Sequence, residues 1–228
     1  MHPRREALLA GAADIAPILI GVFPFGVIAG VAAVEAGLRT LQALAVSPIV
    51  FAGAAQLASI DLIGHDAAPV VIVLTALVIN SRMAMYSAAL APELPGLGRW
   101  RTIVGAYLLT DQAFAVSIVR FAEKNEGVDL KFAYYFGAAI SLWTVWQIST
   151  VIGVVVGRGV PEEWSLDFAI PLVFIALVFP AVKDRGTRVA AVVAAVAASS
   201  FTGLPLHLGL LAAAALGITA GVVAERGR

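Results

Sequence analysis

Two side chains of opposite charge stand inside stretches apolar enough to cross a membrane. Arg82 lies in 67–90, AAPVVIVLTALVINSRMAMYSAAL, and Asp111 lies in 101–121, RTIVGAYLLTDQAFAVSIVRF. A charge at the centre of a bilayer costs about 2.5–3.5 kcal/mol even on lenient insertion scales, so such residues face a bundle interior or a watery path and are read as functional. Arginine offers a planar fork of donors that fits a carboxylate. A carboxylate whose protonation answers to substrate or conformation is a proton relay. Counted from their span ends, Arg82 is about 12 Å deep and Asp111 about 15 Å deep at 1.5 Å per residue. The short connection between the two stretches favours contact. The bland alternative is a static ion pair that fixes helix register, although packed apolar residues often stabilise as well as such a pair.

Other residues could complete a site. Phe23-Pro24-Phe25-Gly26 falls within the first apolar run. Proline removes a backbone donor and glycine permits an unwound turn, so freed backbone groups there could meet a substrate; a plain kink is the alternative. Gln56 ends FAGAAQ, where small residues allow close backbone approach, and its amide serves either a ligand or a helix contact. Asn80 precedes Arg82 by two residues, about 200° round an ideal helix, so the two share a cavity only if the helix is distorted there or the cavity wraps round it. Gln112 follows Asp111, and Trp143 and Gln147, four apart near the middle of a later run, share a face that could line an apolar slot.

The elements that must position these residues are membrane helices. The 228 residues are 61% hydrophobic and 13% charged, against about 25% charge in soluble domains. Mean hydropathy is +0.94. The sequence reads as an all-α polytopic membrane protein forming one transmembrane domain, 1–228, with eight candidate spans at 15–36, 42–63, 67–90, 101–121, 133–157, 168–182, 187–203 and 205–224. Seven spans result if the short sixth and seventh are half-helices. With both termini cytoplasmic, ten Lys and Arg fall inside and four outside, which satisfies the positive-inside rule. The basic start and following apolar run read as a retained first span, since no clear cleavage site follows. Short echoes, TALVIN (75–80) with IALVFP (175–180) and FAGAAQ (51–56) with YFGAAI (135–140), suggest an inverted repeat of spans 1–3 and 4–6, set against chance in an Ala/Val-rich chain.

The absence of cysteine excludes thiolate metal sites and cysteine nucleophiles, and His2, His65 and His207 are too far apart in sequence to suggest a metal cluster. No cofactor is expected. Zero formal net charge gives no hint of nucleic acid. An intramembrane hydrolase would need paired aspartates or a Ser-His pair, and Asp111 is the carboxylate that reads as intramembrane. No enzyme is expected, and no nucleotide-binding signature points to ATP drive.

FPFG at 23–26, FAGAAQ at 51–56, INSR at 79–82, TDQAFA at 110–115 and DFAIPLVF at 167–174 occur in order over about Ala13 to Pro180. Together they resemble the AzlC family, the large subunit of branched-chain amino-acid exporters. The resemblance implies a cell inner-membrane permease that exports branched-chain and similar hydrophobic amino acids. It also implies a small, separately encoded AzlD-like membrane subunit. The family often has Glu after the central Asp, where this chain has Gln112; if that Glu carries protons in relatives, the role here falls to Asp111 alone or is absent.

The combined reading is a secondary exporter driven by the proton gradient. Arg82 would take a substrate carboxylate, Asp111 or carbonyls near Pro24 the ammonium, and Phe23, Phe25 and Trp143 the side chain, with Asp111 coupling protons. The alternative is a passive channel or membrane scaffold.

Overall fold

The computed structural model describes residues 3–159, 182, 184–201 and 208–226. Every regular element among them is helical: α1 (Pro3–Glu35), α2 (Thr40–Ile49), α3 (Gly53–Gly64), α4 (Pro69–Leu90) with a 3₁₀ turn at Ala91–Glu93, α5 (Arg99–Tyr107), α6 (Asp111–Glu123), α7 (Val128–Gly159), α8 (Arg185–Ser200) and α9 (Leu208–Arg226). Among the described residues three helices are long and apolar enough to cross a membrane: Pro3–Glu35, Pro69–Glu93 and Val128–Gly159. The sixth candidate span, 168–182, and the DFAIPLVF stretch lie outside the described residues.

The frame is a parallel pair, α1 against α7. Glycines let the backbones touch: a Cβ on Gly30 would lie 2.2 Å from the Thr150 carbonyl oxygen, and one on Gly137 would lie 2.0 Å from that of Leu8. Such small-residue seams draw helices together in lipid, where burial of apolar surface gives no drive. Ion pairs tie the helix starts at one end, where Asp129 of α7 accepts from Arg4 of α1 and from Arg101 of α5. Lys131 pairs with Glu93 beside them at 2.5 Å, which places the end of α4 at this same membrane face.

The second and fourth candidate spans are each broken into two short helices that form a hairpin, with both ends of the hairpin at one end of the α1–α7 pair. Arg158 of α7 donates to the Leu38 carbonyl (3.5 Å), and Ser47 bonds Thr150 (3.4 Å), so α2 runs antiparallel to α7. The end of α3 returns to the start of α2, with Gly64 against Ala36. At the opposite face Arg101 is beside Asp129 and Trp143 bonds Tyr107, so α5 runs with α7. Then α6 returns against it, with Phe121 on Tyr134. Helices of 10, 12, 9 and 13 residues reach about 14–20 Å, half to two thirds of an about 30 Å hydrocarbon core.

The breaks have local causes. Pro48 removes an amide in the last turn of α2, and Gly53 opens α3. Thr110 ends the α5 run by capping α6, its hydroxyl accepting from the Ala113 amide at 3.3 Å. The expected unwinding at Phe23–Gly26 is absent: α1 is continuous through Pro17 and Pro24. Bilayer helices tolerate proline where local adjustment re-satisfies the freed carbonyl. The seventh and eighth candidate spans correspond to α8 and α9, an antiparallel hairpin whose contact is made by Gly217 and Gly221 against Ala190 and Ala194.

Candidate functional site

The hairpin tips, Val50–Ala52 and Leu108–Thr110, meet beside the middle of α7. The Tyr107 hydroxyl donates to the Pro48 carbonyl at 2.8 Å and accepts from Trp143 Nε1 at 2.9 Å. The Phe51 and Tyr107 rings lie 6.0 Å apart. The tip of each hairpin is thus fastened to the other and to α7.

Beside the tips Arg82 Nη1 of α4 meets Asp111 Oδ2 of α6 at 2.6 Å, as the matching depths suggested, and 34% of each side chain remains accessible. The pair is therefore not sealed. It forms one wall of a cavity of about 280 Å³ completed by Phe25, Gly53, Ala54, Gln112, Leu142 and Trp146. That volume is close to the lower end of the about 300–1,000 Å³ typical of ligand pockets, a size for a small solute.

Two helix N-termini open on this cavity. Asp111 is the first residue of α6, a negative charge at the positive end of the helix dipole. Ala52 leaves α3 without a side-chain cap, so the Gly53 and Ala54 amides can donate to an anionic group. Around the centre Gln56 Nε2, Asn80 Oδ1, Arg82 Nε and Asp111 Oδ1 are buried with no hydrogen-bond partner among the described residues. A buried polar atom left unpaired costs about 1–3 kcal/mol, so a polar ligand or water gains most here.

The sequence candidates divide. Phe25, Arg82, Asp111 and Gln112 line the cavity together. Gln56 is fully buried behind the α3 tip, its Oε1 accepting from Trp146 Nε1 at 3.1 Å. Asn80 enters an adjoining cavity of about 280 Å³ that shares Phe51, Ala52 and Met83 with the central one, in keeping with its angle from Arg82. Phe23 and Pro24 are exposed on the outer face of α1, while Gly26 packs on Ser149. None of these three lines the cavity, because an unbroken α1 turns Phe25 inward and its neighbours away. Trp143 and Gln147 likewise do not line it; the face of α7 turned to the site carries Leu142 and Trp146. Trp146 stands edge-on to Phe25, ring centroids 5.4 Å apart.

Phe51, Gly53, Thr110 and Trp146 were not named as site residues. Thr110-Asp111 is a helix-start signature placed mid-span, and Ser47-Pro48 followed by Gly53 is a break signal; both were legible as a discontinuity.

Fold and site define a helical membrane protein whose central ion pair sits where two broken segments meet. The chain belongs to the AzlC family: the family model, described as AzlC protein, matches residues 17–160, which contain every cavity residue. Among relatives, the inner membrane protein YgaZ of Escherichia coli (strain K12) is 25% identical over 214 residues, 90% of this chain and 86% of its own length. An uncharacterized membrane protein of Archaeoglobus fulgidus is 30% identical over 207 residues, 88% of each chain. One from Helicobacter pylori (strain 26695) is 26% identical over 178 residues, 78% of this chain and 76% of its own. No solved structure gives a significant match.

Proposed function

We propose that the chain is a secondary transporter that exports branched-chain or similar hydrophobic amino acids in exchange for protons, together with a small AzlD-like subunit. The observation that carries this reading is the Arg82–Asp111 pair, open to an apolar cavity between the tips of two hairpins that enter from opposite faces. A zwitterion offers a carboxylate to Arg82 and the uncapped Gly53 and Ala54 amides, and an ammonium to Asp111. An aliphatic side chain fits against Phe25, Leu142 and Trp146. Breaking the ion pair on loading and reforming it on release would couple protonation of Asp111 to occupancy. Opposed broken segments around a midplane site are a recurrent transporter plan, and the two hairpins, following α1 and α4, would be its inverted copies.

Hairpin topology also bears on orientation. Of the Lys and Arg within 3–159 other than Arg82, Arg4, Arg5, Arg99, Arg101, Arg120, Lys124 and Lys131 gather at the end where α1 and α7 begin, against Arg39 and Arg158 at the other. Under the positive-inside rule this supports a cytoplasmic N-terminal face.

Flux of labelled leucine and valine in proteoliposomes tests the assignment, with the chain alone and with its small subunit. Saturable flux of these amino acids, in preference to polar ones of equal size, is expected. No flux in either preparation sinks the substrate assignment, and flux that never saturates favours a channel.

A further inference from the structure

Three cavities lie in series from the ion pair toward the face that carries the starts of α1, α5 and α7. The central and Asn80 cavities share Phe51, Ala52 and Met83 as walls. The Asn80 cavity in turn shares Ala106 and Leu109 with a cleft of about 320 Å³ between the end of α4, the 91–97 turn, α5 and α7. Its apolar walls include Leu90, Leu94, Leu109 and Phe132, and Ser87, Arg101 and Thr102 give it polar groups. The α5 backbone is held to the cleft floor by Tyr135, whose hydroxyl donates to the Gly105 carbonyl at 2.6 Å. Gly105 keeps that floor low: even a Cβ there would touch Phe132 and Tyr135 at 3.5 and 3.6 Å.

Arg101 is anchored from the far side, donating to Asp129 at 2.6 Å. A guanidinium has five N–H donors, so this pairing leaves others for a second carboxylate. The cleft thus repeats the chemistry of the central cavity, a cation beside an apolar slot of similar volume, one step nearer the membrane face.

We propose that the Arg101 cleft is an outer binding site, in series with the central one, for a small molecule that joins a carboxylate to an apolar side chain. The choice of ligand rests on the transport reading above; the route does not. A solute moving between this face and the ion pair passes Ala106 and Leu109, then Met83 and Phe51.

The chain has no cysteine, so single cysteines report directly. Thr102→Cys and Ala106→Cys would be treated in membrane vesicles with a charged methanethiosulfonate, with Arg5→Cys marking the N-terminal face. Both should react from the face that modifies Arg5→Cys. Leucine should slow the Ala106→Cys reaction about fivefold at about four times its Kd, since the open fraction falls as 1/(1 + [L]/Kd). Protection should persist in Asp111→Asn, which alters the central site alone. It should vanish with Gly105→Leu, which fills the cleft, and with leucinol, which lacks the carboxylate. Reaction from the opposite face, absence of protection, or equal protection by leucinol overturns the proposal. Protection here with no flux in proteoliposomes would instead sink the transport reading and leave the outer site standing.

Discussion

Neutralising both members of the ion pair separates a strut from a working site. Asp111→Asn keeps side-chain size, Arg82→Gln shortens the side chain but leaves an amide donor, and both, like the double variant, remove charge. At a contact of 2.6 Å the charge centres are about 4 Å apart, worth about 4 kcal/mol at an effective dielectric of about 20. With 34% of each side chain accessible, screening reduces this, and a coupling of about 1–3 kcal/mol is expected. Each single variant strands one charge in the membrane; the double strands none. Denaturant unfolding in detergent micelles should therefore find the double variant less destabilised than the sum of the singles by that amount. Gradient-driven flux should be lost in all three. Additive destabilisation would refute the energetic argument. Restored flux in the double variant would refute the role of the charges in transport and leave the pair a register-fixing strut.

Other sites give independent checks. Gly53→Ala puts a Cβ 2.8 Å from Phe25 Cε1 and 3.1 Å from Trp146 Cη2, so it should shrink the cavity, cost about 1–3 kcal/mol and raise the KM for leucine more than for alanine. Gly30→Leu, whose Cβ meets the Thr150 carbonyl, should part α1 from α7 and abolish a monodisperse peak in detergent chromatography, whereas Gly21→Ala, with nothing within 4 Å, should behave as wild type. Tyr107→Phe keeps the ring against Phe51 but unlinks Trp143 from Pro48; hydrogen exchange at Val50–Gly53 should quicken, with a loss of about 1–3 kcal/mol. At the start of α8 the Asp184 carboxylate accepts from the Thr187 amide at 2.7 Å, and that bond first, then one from the Thr187 hydroxyl, holds its pKa below the usual 3.8. A lowered folded pKa means the cap is fully present above 3.8 and lost as pH falls through the folded value. Protection from exchange in the first turn of α8, relative to the intrinsic rate at each pH, should thus be unaffected by this group at neutral pH and fall only under acid.

Composition and hydropathy sufficed for a helical membrane protein, and the cost of a buried charge sufficed to pick out Arg82 and Asp111. Their contact was legible because depth along a helix is simple counting. Hairpins were missed because hydropathy measures how apolar a segment is, not whether the chain turns within it: 42–63 and 101–121 are largely apolar yet turn back at Val50–Ala52 and Leu108–Thr110. The Pro24 signal misled for the converse reason, since a lipid-facing proline can sit in a continuous helix. Trp146 rather than Trp143 faces the site because α7 is turned by its glycine seam with α1, at Gly137 and Gly153. FAGAAQ and 109–114 share a helix start at a hairpin tip, Gly53 and Asp111, a feature that residue likeness alone does not reveal.

The most direct test of the account is leucine flux against an imposed pH gradient, comparing wild type with Asp111→Asn in proteoliposomes that contain the small subunit. The account predicts that wild type accumulates leucine in step with the gradient, while Asp111→Asn at most equilibrates it. Gradient-driven accumulation that survives intact in Asp111→Asn would contradict it, and would move proton coupling away from the meeting point of the two hairpins.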